Sequence, residues 1–397
     1  MKKATMFTVF GMALLVTMGI SSIIPALPLM SKFYGIPLEQ SWRIIASFAL
    51  PGLICIPFVG VWADRYGRKR VLLPALALFI FGGLGCMFAR TYLELLFWRM
   101  IQGAGSAPLG LLYPTIIADT WQGSERVRIM SLTAMVLGLG TALSPALGGA
   151  LAMLHWKLPF ILPILGLPVA FMAVRIPLMR PGNREPFLRY VKNLIRTARR
   201  KQTIILLGLT LLTFIMLSGP IITCFPILAE SVFQATPLES GLILASASLA
   251  SGLAATRLPK LYSLFSCRAL LLTSFALYSI AFCSIPLAPF LWALLLPIFI
   301  YGIAQGMNIP LVSLLLTEQA PDEQRAALMA ANAVLLRLGQ NIGPAVFGTL
   351  AGIIGPGAAI MAGTPVALAM SLLVLQKSFP SSNLSQDDGH LKQMDPL

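Results

Sequence analysis

The chain has 397 residues, of which 57% are hydrophobic and only 11% charged, with a formal net charge of +15. A soluble domain carries about 25% charged residues, so an assembly of water-soluble domains is excluded and most of the chain belongs in lipid. The positive balance does not point to nucleic acid, because the basic residues sit in short segments between apolar runs, without zinc spacing or aromatic interleaving.

Apolar runs recur along the whole chain, many near the roughly 20 residues a bilayer-spanning helix needs. They are continuous rather than alternating, which excludes a β-barrel. The first, 6–30, follows Lys2 and Lys3 and resembles a secretion signal. No A-x-A site follows it and apolar sequence continues to Met30, so it reads as an uncleaved first span. Further spans are predicted over 43–63, 71–89, 93–118, 127–154 and 157–178. A basic stretch then intervenes: in "PFLRYVKNLIRTARRK", Phe187, Leu188, Val191, Leu194, Ile195 and Ala198 share one helical face, while Arg189, Lys192, Arg196, Arg199 and Arg200 cover the other. That is the pattern of an amphipathic helix on an anionic membrane surface, and it is equally compatible with a solvated tether. Six more spans are predicted over 203–229, 240–259, 269–287, 290–317, 326–353 and 357–376. The last twenty residues are polar and read as disordered. Cys55, Cys86, Cys224, Cys267 and Cys283 are scattered without a CxxC pair and read as small apolar residues, so neither disulfide nor metal is expected.

Lys and Arg are distributed unevenly between alternate loops. One set of loops holds Lys2, Lys3, Arg65, Arg68, Lys69, Arg70, Arg126, Arg128, the stretch from Arg175 to Lys201, Arg257, Lys260, Arg268, Arg325, Lys377 and Lys392. The other holds Lys32, Arg43, Arg90 and Lys157. By the positive-inside rule both termini are expected in the cytoplasm. The chain also repeats itself at an offset near 200 residues. "IPLEQS" (Ile36–Ser41) answers "TPLESG" (Thr236–Gly241), "IQGAG" (Ile101–Gly105) answers "AQGMN" (Ala304–Asn308), and "LGTALSPALGG" (Leu139–Gly149) answers "LGQNIGPAVFG" (Leu338–Gly348). The expectation is an all-α membrane protein of twelve helices in two pseudo-symmetric halves, 1–178 and 203–377, joined by a cytoplasmic linker, 179–202, and followed by the tail, 378–397.

Three motifs carry a family resemblance. "GVWADRYGRKRVLL" begins at Gly60, "RMIQGAGSA" covers Arg99–Ala107, and "GTALSPALGG" covers Gly140–Gly149. Over nearly its full length the chain resembles the major facilitator superfamily of secondary transporters, and the third motif resembles that of its twelve-helix drug and proton antiporters. Ser144 stands where that motif usually has Gly before Pro145. The resemblance implies an exporter motif at Gly140, Pro145, Gly148 and Gly149, and a charge latch in the loop between the second and third spans. Asp64 lies at the carboxyl end of a helix, where a carboxylate opposes the helix dipole and needs positive partners. Arg68 is one, and the resemblance suggests the amino end of the eleventh span, near Arg325, as another. Gly60 is expected to let helices approach and Gly67 to supply the turn.

Two arginines, Arg99 and Arg337, fall inside predicted spans. A central arginine costs at least ~2.5–3.5 kcal/mol on insertion scales, so each needs a partner or a wet cavity. On the fourth span Arg99, Gln102, Ser106 and Tyr113 share a face. On the tenth, Tyr301, Gln305 and Asn308 do so, and on the eleventh Arg337, Gln340 and Asn341 cluster. The resemblance places the first, fourth, seventh and tenth spans around a central cavity, with Arg337, Gln305, Asn308, Gln340, Asn341, Arg99, Gln102 and Tyr113 as candidate substrate contacts; the alternative for such residues is helix-to-helix bonding. Thr17, Ser21, Ser22, Thr213, Ser218 and Thr223 read more simply as such helix-to-helix glue. Residues 6–30 contain no Asp or Glu, where drug antiporters often carry an acid. Two arginines without a central acid favour anionic, zwitterionic or neutral cargo.

The reading is a monomeric, non-enzymatic transporter of the cytoplasmic (inner) membrane, without metal or cofactor. It would export a small amphipathic molecule in exchange for protons by rocking of two halves. Uptake, or anion exchange without protons, is the alternative, and a non-transporting receptor or scaffold is the alternative of another class.

Overall fold

A computed structural model of the chain describes residues 2–175, 201–319, 322–376 and Phe379. The basic linker up to residue 200 and the tail beyond Phe379 lie outside these. So do some side chains within helices, including those of Asp64 and Arg325. The described residues form twelve helical segments: α1 (Lys2–Tyr34), α2 (Trp42–Tyr66), α3 (Arg68–Phe88), α4 (Tyr92–Thr120), α5 (Gly123–Leu154), α6 (Leu158–Val174), α7 (Lys201–Phe233), α8 (Pro237–Leu264), α9 (Cys267–Leu287), α10 (Leu291–Glu318), α11 (Asp322–Ile354) and α12 (Pro356–Leu375). Eight of them are long and apolar enough by themselves to cross a membrane.

Several helices run past their predicted ends. α8 was expected over 240–259 and α11 over 326–353, because polar residues mark where lipid stops. A backbone has no reason to stop there, since extending the helix satisfies its hydrogen bonds on both sides of the boundary. Local sequence sets the true starts. Thr91 and Glu94 form a capping box at the start of α4, and Thr236 with Glu239 does the same at α8. Prolines interrupt α1 and α7: a 3₁₀ turn covers Ile24–Ala26, and a π turn covers Leu217–Cys224 around Pro220.

The apolar core divides along the chain. One cluster draws on residues 205–379 with Ile24 as its only earlier member, and two others draw on residues 9–173. Between these groups α5 packs on α8 and α2 on α11. The approach is closest at one face of the bundle, the one opposite the chain's basic loops. There a methyl group added to Gly149 would fall on the carbonyl oxygen of Pro237, one on Gly241 on that of Pro145, and one on Gly348 on the Trp42 ring. Small residues let backbone meet backbone, and in lipid such contact supplies much of helix association. Lys32 Nζ and Glu230 Oε1 add an ion pair across the same face at 2.5 Å.

Toward the basic face the described glycines make no such contact between the halves. A methyl group built on Gly138, Gly208 or Gly252 meets nothing within 4 Å, and one on Gly60 meets only Leu111 of its own half, at 3.9 Å. The expectation that Gly60 brings two helices together is therefore corrected for this conformation: the tight crossing of α2 with α11 lies at the other end, at Trp42 and Gly348. Among the described glycines, the close approaches between the halves lie on the face opposite the basic loops.

This geometry yields a prediction. Gly149→Leu should wedge α5 from α8 and open the closed face. In a cysteine-free background, a cysteine at Ser240, which is 4% exposed in the wild type, should become reactive to an impermeant maleimide applied from that side. Equal labelling with and without the leucine would show that the seam does not seal this face.

Candidate functional site

The two intramembrane arginines begin from the same local arrangement. Each has a glutamine three residues on, on the same helical face. Arg99 Nη1 donates to Gln102 Oε1 at 2.7 Å, and Arg337 Nη1 to Gln340 Oε1 at 3.1 Å. Their surroundings then differ completely.

Arg99 is fully buried. Its guanidinium lies 4.3 Å over the Phe48 ring, its Nε donates to Ile44 O at 3.3 Å and its Nη1 to Gly19 O at 3.0 Å. The last bond has a cause in α1. Ile23 N–H, which an unbroken helix would give to Gly19, goes instead to Ile20 O at 3.2 Å, because the chain tightens ahead of Pro25. Arg99 supplies the missing donor and ties the break in α1 to α2 and α4, with Nε and Nη1 on carbonyls and Nη2 buried without a hydrogen-bond partner. Gln102, 1% exposed, is turned to the same task against α3. Asn308, also fully buried, donates from Nδ2 to Thr213 Oγ1 at 2.7 Å and bonds α10 to α7. These three residues were expected among the cargo contacts. All three are buried and bonded to neighbouring residues within their own half.

Arg337 is half-buried and faces the other half of the molecule. Its Cδ and Nε lie 3.6 Å from where a methyl group on Gly52 of α2 would stand, and its Nη2 lies 3.7 Å from the same point on Gly110 of α4. Val16 of α1 approaches Gly110 at 4.0 Å, so the guanidinium sits where α1, α2 and α4 converge on α11. Asn341 Nδ2 donates to Arg337 O at 2.8 Å, a bond within its own helix. Gln340, Asn341, Gln305 and Tyr113 are all half-buried. Tyr113 is one turn of α4 beyond Gly110. Of the expected cargo contacts, Arg337, Gln340 and Asn341 on α11, Gln305 on α10 and Tyr113 on α4 are the ones not fully buried.

The α5 motif is a two-sided seam. Gly140 approaches Thr17 of α1 and Gly148 approaches the carbonyl of Ser22, while Pro145 and Gly149 meet Gly241 and Pro237 of α8. The loop of the first motif joins α2 to α3. Gly67 adopts φ +95° and both ends α2 and starts α3, as its place in the sequence required. Arg68 Nε pairs with Asp119 Oδ2 at 3.2 Å, which joins α3 to the end of α4. Asp119, like Asp64, is an acid at a helix carboxyl end, so the sequence carried the signal for a cationic partner there too. Lys69 Nζ donates to Val174 O and fixes the end of α6.

The family model described as Major Facilitator Superfamily matches residues 9–258 and 209–392. The chain belongs to the Major Facilitator Superfamily. It is 36% identical over 154 residues to the Bacillibactin exporter of Bacillus subtilis (strain 168), a match that spans 37% of this chain and 38% of that protein. To Multidrug resistance protein 2 of the same organism it is 26% identical over 346 residues, 84% of this chain and 85% of that one. Among solved structures, that of a D-xylose-proton symporter superposes with a TM-score of 0.78 at 17% identity, covering 95% of this chain and 98% of that one. The human organic anion transporter MFSD10 (TETRAN) gives 0.69 at 18%, covering 94% and 99%. At such identities the structural likeness shows the fold. Together with the named relatives, the family makes this chain a multi-pass membrane transporter of small molecules and not an enzyme.

For this member of the superfamily, replacing Arg99 by Met should remove the donor at the α1 break. Each buried carbonyl left without its partner costs about 1–3 kcal/mol. A lower thermal midpoint of the purified protein, with cargo affinity of the folded fraction unchanged, is the expected result. A selective loss of affinity at unchanged stability would return Arg99 to the cargo site.

Proposed function

We propose that the protein is a secondary exporter of small amphipathic organic compounds, working by alternating access in the cytoplasmic (inner) membrane as a monomer, with both termini in the cytoplasm. One observation carries this reading. The halves meet by glycine-to-backbone contact at one face, the antiporter-like motif of α5 forms one side of that seam, and toward the basic face none of the described glycines makes such a contact between the halves. Breaking that seam and making its counterpart at the basic face would turn the cavity over, which is the rocking motion expected of two repeated halves. Relatives named as an exporter and a multidrug resistance protein support the outward direction. Proton exchange is the driving reaction that the resemblance to drug antiporters supports. Exchange of an organic anion without protons is the second reading, and the cation at Arg337, in a chain whose first span has no acid, favours it.

The coupling is tested in proteoliposomes loaded with fluorescent amphiphiles. Under an imposed pH gradient, export should stop when nigericin collapses the gradient. Export that persists would replace proton antiport by anion exchange. The orientation is tested with reporters: one fused after Lys377 should read as cytoplasmic and one placed near Glu230 as external, and the reverse pattern would overturn the topology.

The latch at Asp64 belongs to the alternate, inward-closed state. Asp64→Asn should lower transport while leaving the thermal midpoint near wild type, and should raise the reactivity of a cysteine at Gly138 inside the open space. Wild-type transport and reactivity in that variant would remove the latch.

A further inference from the structure

The reading of the protein as a transporter leaves the chemistry of its cargo open, and the surroundings of Arg337 narrow it. The guanidinium has one hydrogen bond, from Nη1 to Gln340. Nε and Nη2 donate to nothing among the described residues, and no carboxylate there comes within ion-pair distance. That free pair forms one flat edge of the guanidinium. Nε and Nη2 lie beside the α2 and α4 glycines of the opposite half, 3.6 Å and 3.7 Å from where a methyl group on Gly52 and on Gly110 would stand, in the middle of α11.

The sequence offers no acid to fill the gap. The acids of the membrane helices are Glu39, Asp64, Glu94, Asp119, Glu125, Glu230, Glu239, Glu318, Asp322 and Glu323, and each lies in a loop or within the first or last turns of its helix. The rest lie in the linker and tail. A cation in mid-membrane without a counter-charge is expensive, and such residues mark ion or substrate pathways. Arg99 shows how this fold handles a structural arginine, by burying it on carbonyls. Arg337 has no such arrangement. The Nε and Nη2 pair is also the donor spacing that a carboxylate accepts in two parallel bonds. Around it Val16, Ala107 and the two glycines offer apolar surface.

We propose that Arg337 is the cargo-recognition cation of this transporter and that the cargo is an amphipathic organic acid, its carboxylate received by Nε and Nη2 and its apolar body lying against α1, α2 and α4. The proposal rests on the transporter reading. It adds that the cargo is anionic and that a residue of the second half presents its charge to the first. Gly52 and Gly110 are positioning residues here, since a methyl group at either would already reach van der Waals contact with the guanidinium and a larger side chain would crowd it.

The test uses purified full-length protein and a panel of aromatic and aliphatic carboxylates, each paired with its neutral carboxamide, with binding read as ligand-induced thermal shift and by titration calorimetry. At least one acid should bind wild type about tenfold or more tighter than its amide, the difference one charged contact supplies. Arg337→Gln should erase the preference while retaining amide binding, and Arg337→Lys, which keeps charge without the planar edge, should retain part of it. Equal binding of acid and amide by wild type, or no binding by any acid, overturns the proposal without recourse to a variant. A preference that survives Arg337→Gln overturns the assignment of the residue. Flux is measured separately in proteoliposomes. Acid-selective binding without flux would sink the transporter reading and leave the anion site standing, whereas flux of amides at the rate of their acids would sink the anion site alone.

Discussion

The two halves of this molecule are held together by places where side chains are missing. Lipid offers no hydrophobic reward for joining helices, so association rests on close van der Waals contact and on interhelical hydrogen bonds. Gly149 on Pro237, Gly241 on Pro145 and Gly348 on Trp42 provide that contact at one face. Contacts of this kind are short in range and all-or-none: a shift of an ångström or so forfeits much of the attraction. A seam of this sort can therefore be broken and remade as a unit, and the hinge of the fold needs no flexible segment of its own.

Within each half the constraint is the opposite one, that a buried polar group costs free energy unless it is paired, and bonds between helices pair several of them. The break in α1 would strand the carbonyl of Gly19, and a whole arginine is committed to it. Asn308 and Thr213 tie α10 to α7, and Thr210 and Asn332 tie α7 to α11 at 2.7 Å. Such ties make each half behave as one body, so that motion is concentrated between the halves.

Much of this was legible in the sequence. Span number, the Gly67 turn and the equivalence of α2, α4 and α5 with α8, α10 and α11 follow from hydropathy, from a glycine between charged helix ends and from three ordered repeats. The roles of the arginines were not legible. Arg99 and Arg337 look alike along the chain: each lies inside a predicted span, and each has a glutamine at the third residue on. What separates them is supplied by other helices, a broken α1 in one case and a pair of glycines from the opposite half in the other. Gly60 illustrates a further limit. A small residue marks where helices are able to meet, and the conformation decides whether they do. For Asn308 the spacing gave the face of α10 correctly in register with Gln305, but one helical turn was enough to carry the side chain from the open space into the interior of the half.

The exposed edge of Arg337 has a kinetic consequence. Turning the cavity over requires a state in which both faces are shut and the guanidinium is cut off from bulk water. Stripping water from an unpaired ion in a protein carries a penalty of several kcal/mol, and each ~1.4 kcal/mol in a barrier slows the step about tenfold. A carrier whose fixed charge has been neutralised escapes that penalty; an empty one does not. On the proposal that Arg337 receives the cargo's charge, the same residue would suppress slippage of the unloaded protein, and a leak-resistant cycle would require no separate gate at the centre of the membrane.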